Sequence, residues 1–471
     1  MDGAELAFAG IARQAELIAD GAVSSRELVD SYLQRIERYD DELNAFRVVL
    51  GERARAEAEQ ADARVRAGER RPLLGVPFAI KDNTDVAGEV TALGTNAYGA
   101  PAREDSEIVR RLRTAGAIVL GKTNVPELCA FPWTDSPTWG VTRNPWNLQH
   151  TPGGSSGGSG AAVAAGLVAA ATAADGGGSI RYPAAYCGLF GLKPERGRLP
   201  LAPRRDSSSH GLEVNGVLTR SVRDTALFFD AIADGPPDPG ASALAPVRLL
   251  DSLAAAPRPL RIAVSRELPP SPLTRLAPAN AAALDDTTRL LAGLGHELSV
   301  CEVDHGPIAP APEFTALFLD ALREEAAELP HPERLERRMR ALARVGAVAF
   351  GAVGWAEGRR AAYAARLNEA LAEHDVLLTP VTPAPPPRVG AVEGRGWLWT
   401  TVVAACTVPY AACWNFTGQP ACSVPAGHDA DGLPRAVQLV GRHEDEATLV
   451  ALAAQIESAR PWADGRPPGF S

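Results

Sequence analysis

Only three lysines stand among the 47 basic residues of this 471-residue chain, Lys81, Lys122 and Lys193; the other 44 are arginines. A position that needs only a surface cation has accepted arginine here, so a retained lysine is a candidate for chemistry that a guanidinium cannot do. Arginine stays protonated in proteins, whereas a buried lysine can become a neutral amine base. All three lysines fall between residues 81 and 193, as do the densest glycine motifs, Gly153-Gly154-Ser155-Ser156-Gly157-Gly158-Ser159-Gly160 and Asp175-Gly176-Gly177-Gly178-Ser179-Ile180-Arg181. Glycine density implies close backbone approach or unusual dihedrals. Serines held in such loops suit ligand hydrogen bonding or nucleophilic attack. Three glycines ahead of Ser179 can turn several N–H groups toward one point, as an oxyanion hole requires.

The first cluster alone leaves three readings open. Gly154-x-Ser156-x-Gly158 has the form of a nucleophile elbow, but an elbow follows a strand and Asn147-Leu148-Gln149-His150-Thr151-Pro152 does not read as one. A phosphate loop ends in Gly-Lys-Ser/Thr, and no lysine follows within the next thirty or so residues. A solvated Gly/Ser turn remains as the reading without chemistry.

Elements with an α/β rhythm must position these groups. Ser24-Ser25-Arg26-Glu27 is a capping box ahead of Leu28, Val29, Tyr32, Leu33 and Ile36 at helical spacing. A polar helix is expected from about Glu52 to Ala67, and a strand at Leu74–Ile80 delivers Lys81 at its end. A helix at Ser106–Ala115, a strand at Ala117–Gly121 and a small-residue helix from Ala161 follow. Gly235 to Arg258 reads as a surface loop. Beyond it come a strand at Arg261–Val264, a helix at Asn280–Leu294, a strand at Leu298–Val303 and helices across 313–373. Strands at Asp375–Thr379, Pro420–Pro425 and Ala436–Val440 and a helix at Glu446–Ala459 complete the chain. Strands alternating with helices predict a sheet covered by helices.

Composition excludes several functions. A net charge of -10 argues against a nucleic-acid surface. Met1-Asp2-Gly3-Ala4-Glu5 has no basic region followed by an apolar stretch, so no signal peptide is expected. The longest apolar run, Ala161 to Ala174, is about fourteen residues and too short to span a bilayer. Cysteines 129, 187, 301, 406, 413 and 422 lack metal or redox spacing and fit reduced thiols in the cytoplasm. The eight histidines form no HExxH pair, so neither a metal nor another cofactor is expected.

Taken together, the motifs resemble the amidase signature family of serine hydrolases. The resemblance rests on Gly75-Val76-Pro77-Phe78-Ala79-Ile80-Lys81-Asp82-Asn83, Gly121-Lys122-Thr123-Asn124, Arg143-Asn144-Pro145-Trp146-Asn147, both glycine clusters and Gly188-Leu189-Phe190-Gly191-Leu192-Lys193-Pro194. It resumes at Asn415-Phe416-Thr417-Gly418-Gln419-Pro420-Ala421 and Gln438-Leu439-Val440-Gly441. It implies an α/β fold, a large mixed, twisted sheet with helices on both faces. Residues 1–471 would form one domain, with a signature core at about 75–200 and a variable substrate-loop region at about 235–415. It further implies a Ser–cis-Ser–Lys triad with Ser179 as nucleophile, Ser155 after a cis Gly154–Ser155 bond, and Lys81 as base.

By the same resemblance, the N–H groups of Gly176, Gly177, Gly178 and Ser179 would hold the oxyanion. Ser156, Asp175 and Arg181 would support the loop, and Lys122 and Lys193 would be structural. Cys129 and Ala130 to Thr134 would line the acyl site, and Trp133, Trp139, Trp397, Trp399 and Trp414 are available for an aromatic wall. Gly176 stands where the family often has Thr or Ile. The implied activity is hydrolysis of a small-molecule amide, carbamate or ester, with no nucleic acid or membrane partner and a homodimer left open. The membrane-associated fatty-amide branch is not expected. The alternative is the A subunit of a glutamine-dependent tRNA amidotransferase, but Thr407-Val408-Pro409-Tyr410 lacks the acid that would hold glutamine there.

Overall fold

Lys81 and the two glycine clusters are brought together by strands drawn from nearly the whole chain. The computed structural model describes residues 3–203, 208–233, 244–254, 258–271, 273–308 and 311–470. The strands are β1 (Phe46–Val49), β2 (Pro77–Lys81), β3 (Ile118–Thr123), β4 (Asp135–Ser136), β5 (Gly140–Val141), β6 (Ala170–Asp175), β7 (Phe190–Lys193), β8 (Val214–Thr219), β9 (Arg261–Val264), β10 (Glu297–Val300), β11 (Val376–Pro380), β12 (Ala421–His428) and β13 (Pro434–Gly441). Eleven form one sheet in the order β1-β3-β2-β6-β8-β7-β12-β13-β11-β9-β10, and β4 and β5 form a separate ribbon. The sheet is mixed: β2 runs parallel to β3 and β6, and β9 to β10 and β11. The other neighbours are antiparallel. Helices pack around it, as the α/β reading expects.

β2 and β6 are buried along their full length, as strands covered on both faces must be. The backbone N–H of Lys81 donates to Thr172 Oγ1 at 2.9 Å, tying the end of β2 to β6. Helix Ser25–Leu43 opens with the expected capping box and buries Leu28, Val29, Tyr32, Ile36, Tyr39 and Leu43 on one face. Asn44 ends it in the left-handed region at φ 52°. Strand β9 and helix Glu446–Ala459 occupy the residues expected of them.

Four differences are physical. The small-residue helix starts at Gly157, not Ala161, so half of the first glycine cluster is its opening turn. β6, sequence AATAAD, is made of a strong helix former and becomes a strand because β2 and β8 bracket it. β1 and β8 carry no clear alternation and went unread. So did helix Val222–Ile232. The loop expected at Gly235–Arg258 falls partly outside the described residues; within 244–254 there is a short turn of helix at Asp251–Leu253. Among the described residues no helix is long and apolar enough to cross a membrane.

Candidate active site

Lys81 is the last residue of β2, and its side chain is buried, with Nζ 2.8 Å from Ser155 Oγ. Nζ also donates to the Ala174 carbonyl at 3.2 Å. Ser155 follows a cis peptide bond with Gly154. A Cβ on Gly154 would lie 2.5 Å from the Phe131 carbonyl oxygen and 2.6 Å from that of Trp133, so only glycine fits. Ser156 does not reach the cavity: its Oγ bridges the Ala174 backbone, donating to O and accepting from N at 3.3 Å each. It thereby staples the first glycine cluster to the end of β6.

The second cluster leaves β6 at Asp175 and enters helix Arg181–Cys187. Asp175 and Arg181 are fully buried and form a two-point ion pair, Nε and one terminal nitrogen each 3.0 Å from a carboxylate oxygen. Arg181 also donates to Gln438 Oε1 at 2.8 Å and Asn415 Oδ1 at 2.6 Å. Asn415 in turn donates to the Asp175 carboxylate and carbonyl. Burial alone would push the Asp175 carboxyl up, but the Arg181 charge and these hydrogen bonds hold it well below the usual range. This is a sealed network rather than a surface ion pair.

That network corrects one expectation. The Gly178 N–H donates to Asp175 Oδ1 at 2.6 Å, so it is not directed at a substrate. Gly178 has φ 122°, and the Tyr182 ring fills the space a Cβ would need. Of the second glycine cluster, Gly176, Gly177 and Ser179 line the cavity.

Lys81, Ser155 and Ser179 line one cavity of about 350 Å³. The loop Leu128–Pro132, with Cys129 and Ala130, forms one side. Leu128 and Cys129 there have φ 50° and 54°, a left-handed turn made without glycine. Thr134 and Trp414 do not line it, against expectation. The Thr134 hydroxyl donates to the Gly153 carbonyl at 2.9 Å, and Trp414 is packed in a core cluster with Phe416 and Tyr363. The rest of the lining comes from residues that sequence reasoning did not single out: Phe314, Phe318 and Leu322 of helix Pro312–Glu328 and Thr401, Ala404 and Ala405 of helix Trp397–Thr407, both inside the expected substrate-loop region, and Glu213 outside it. Nothing in their composition marks them. Asn415 and Gln438 could have been found, since each is a polar residue inside an apolar motif block.

The other lysines sit elsewhere. Lys122 is buried in an ion pair with Asp82 at 2.9 Å, and Asp82 also binds Arg47 at 2.6 Å. Lys193 donates to the carbonyls of Pro194 and Gly418, and burial pushes it down to about 7, but it does not reach the cavity. Position in the cavity separates Lys81 from the other two.

In this large mixed sheet, Lys81 and Ser155 meet at a glycine turn and Ser179 lines the same cavity. Residues 27–450 match the Amidase family, and the chain belongs to it. AmiB2 of Mycobacterium tuberculosis, provisionally named an amidase, is 49% identical over 474 residues, 99% of each chain. The 6-aminohexanoate-cyclic-dimer hydrolase of Paenarthrobacter ureafaciens is 33% identical over 491 residues, 96% of this chain and 95% of the relative. A solved structure of a 6-aminohexanoate cyclic dimer hydrolase complexed with substrate superposes with a TM-score of 0.89 at 30% identity, covering 99% of this chain and 100% of that one.

Proposed function

We propose that this hydrolase cleaves a small-molecule carboxylic amide, or a related carbamate or ester, through an acyl-enzyme on Ser179. The observation that carries the reading is the Lys81 amine 2.8 Å from Ser155 Oγ, in the same cavity as Ser179. Neutral Lys81 takes the Ser155 proton as Ser155 takes that of Ser179, whose oxygen bonds to the carbonyl carbon. The N–H groups of Gly176, Gly177 and Ser179 receive the oxyanion. The carbon–nitrogen bond then breaks, and Ser155 passes a proton to the leaving amine. Water repeats the addition, releasing the acid and restoring Ser179. The free state of all six cysteines supports a cytoplasmic setting.

The test is hydrolysis of a panel of p-nitroanilides, carbamates and esters, with fluorophosphonate labelling and hydroxylamine trapping of the acyl group. Ser179→Ala is expected to abolish labelling and turnover, and Lys81→Ala and Ser155→Ala to lower kcat by at least about a thousandfold. Full turnover by folded Lys81→Ala would overturn the reading. Turnover of glutamine alone, and only with partner subunits, would favour the amidotransferase.

A further inference from the structure

Two parts of the cavity wall come from far apart in the chain, and one buried carboxyl group joins them. The loop Leu128–Pro132 lines one side, and helix Arg337–Ala349 supplies Leu342 to the lining. Leu128, Ala130 and Phe131 share one apolar cluster with Leu335, Met339 and Leu342. Apolar packing is non-directional and does not by itself fix how the loop sits on the helix. Leu128 and Cys129, at φ 50° and 54°, hold a left-handed turn that persists only where the surroundings fix it. Direction comes from Glu127, the residue just ahead of the loop. It is 2% exposed, and its two carboxyl oxygens accept the Glu336 N–H at 2.9 and 3.2 Å. Glu336 is the residue that caps the start of helix Arg337–Ala349.

A second tie runs beside the first. Arg338, in the opening turn of the helix, pairs with Glu336 at 2.5 Å and with Asp135 of β4 at 2.9 Å. Its guanidinium carbon lies 4.8 Å from the centre of the Phe131 ring, which stacks on Trp133 with centres 5.2 Å apart. Phe131 itself lines the cavity. Among the described residues, the charged groups facing Glu127 are thus Glu336 and Arg338 from the helix, with Asp135 behind them; Thr95 is a further hydrogen-bond partner.

We propose that Glu127 is a positioning residue for this hydrolase: by fixing the start of helix Arg337–Ala349 it holds the loop Leu128–Pro132 against that helix and so sets how tightly substrate is bound. The inference rests on the amide-hydrolase reading above. It carries a pH dependence of defined sign. Burial and the Glu336 carboxylate push Glu127 up to about 7. A carboxyl raised in the docked arrangement favours that arrangement while protonated. Docking is therefore strongest below the ordinary value of 4.5 and weakens as pH climbs through about 7.

The test measures KM and kcat against pH, on the member of the p-nitroanilide, carbamate and ester panel that wild type turns over fastest. Wild-type KM is expected to rise severalfold from about pH 6 to about pH 9. Glu127→Gln keeps an acceptor for the Glu336 N–H but cannot titrate, and is expected to hold the low-pH KM across that range. Glu127→Ala is expected to raise KM about tenfold and to leave kcat within about twofold of wild type. Glu336→Gln, which keeps an acceptor for Arg338, is expected to move the KM inflection to lower pH by removing the neighbouring charge. A KM unaltered in Glu127→Ala overturns the proposal, as does a KM that climbs with pH equally in Glu127→Gln. So does a Glu127→Ala enzyme that loses kcat and not KM; if that variant fails to fold, the two glutamine variants decide. Turnover that disappears in Ser179→Ala leaves the parent reading intact in each of these cases. With no hydrolysis of the panel by wild type, both fall.

Discussion

Asp175 shows how much of the site depends on groups that never meet substrate. One carboxylate accepts from the N–H groups of Gly178 and Ile180 while pairing with Arg181, so it sets the dihedrals of the turn that presents Ser179. Removing one partner strands the other's buried charge. Asp175→Asn is therefore expected to cost about 3–5 kcal/mol in urea denaturation and to lower kcat more than it raises KM. The candidates Lys81, Ser155 and Ser179 came from the resemblance of their motif blocks to the amidase signature family, since composition alone left three lysines open. The diversion of the Gly178 N–H was not legible in the sequence, because a run of glycines is silent about which N–H turns outward.

At the scale of elements, the helix that begins at Gly157 explains why the first cluster is so poor in side chains. A Cβ on Gly158 would lie 2.5 Å from the Ala45 carbonyl oxygen and 2.5 Å from Asn124 N. Gly158→Ala is expected to destabilise by about 1–3 kcal/mol through overpacking and to lower kcat, because the shifted turn carries Ser155. Helix Ser25–Leu43 provides the contrast. Its Ser24 cap accepts from the Glu27 N–H far from the cavity. Ser24→Ala should cost about 1 kcal/mol in denaturant midpoint and leave kcat/KM unchanged. Helices with caps and periodic faces were readable from local rules. β6 and β8 were not, because alanine, glycine and asparagine become strand only when neighbours bury them.

Across the whole molecule, the chain's two ends meet on helix Val222–Ile232. Asp224 accepts from Ala12 N at 2.9 Å, and Glu457 from Val222 N at 3.2 Å. Burial pushes Asp224 up to about 6 and Glu457 up to about 7, the latter aided by Asp224. A carboxyl raised in the folded state binds its proton there more tightly than in the unfolded chain. Its stabilising contribution is present below the unfolded value near 4.5 and is lost as pH rises through about 7. Stability should thus fall as pH rises through about 7. Glu457→Gln, which keeps the acceptor, is expected to match wild type at about pH 5 and exceed it at about pH 8 by up to about 3 kcal/mol in urea denaturation.

By itself the sequence determined the sheet-and-helix class, most helix and strand positions outside the alanine-rich core, and the three groups proposed to do the chemistry. The elements follow from capping and periodicity, which act over a few neighbouring residues, and the three groups from the resemblance of their motif blocks to the amidase signature family. Only the tertiary structure decided that Gly178 serves Asp175 and that Thr134 and Trp414 do not line the cavity. It also decided that the rest of the lining draws on residues 314–322 and 401–408. These depend on which distant strands and helices pack together, and no local preference in the chain encodes the direction a buried group will face.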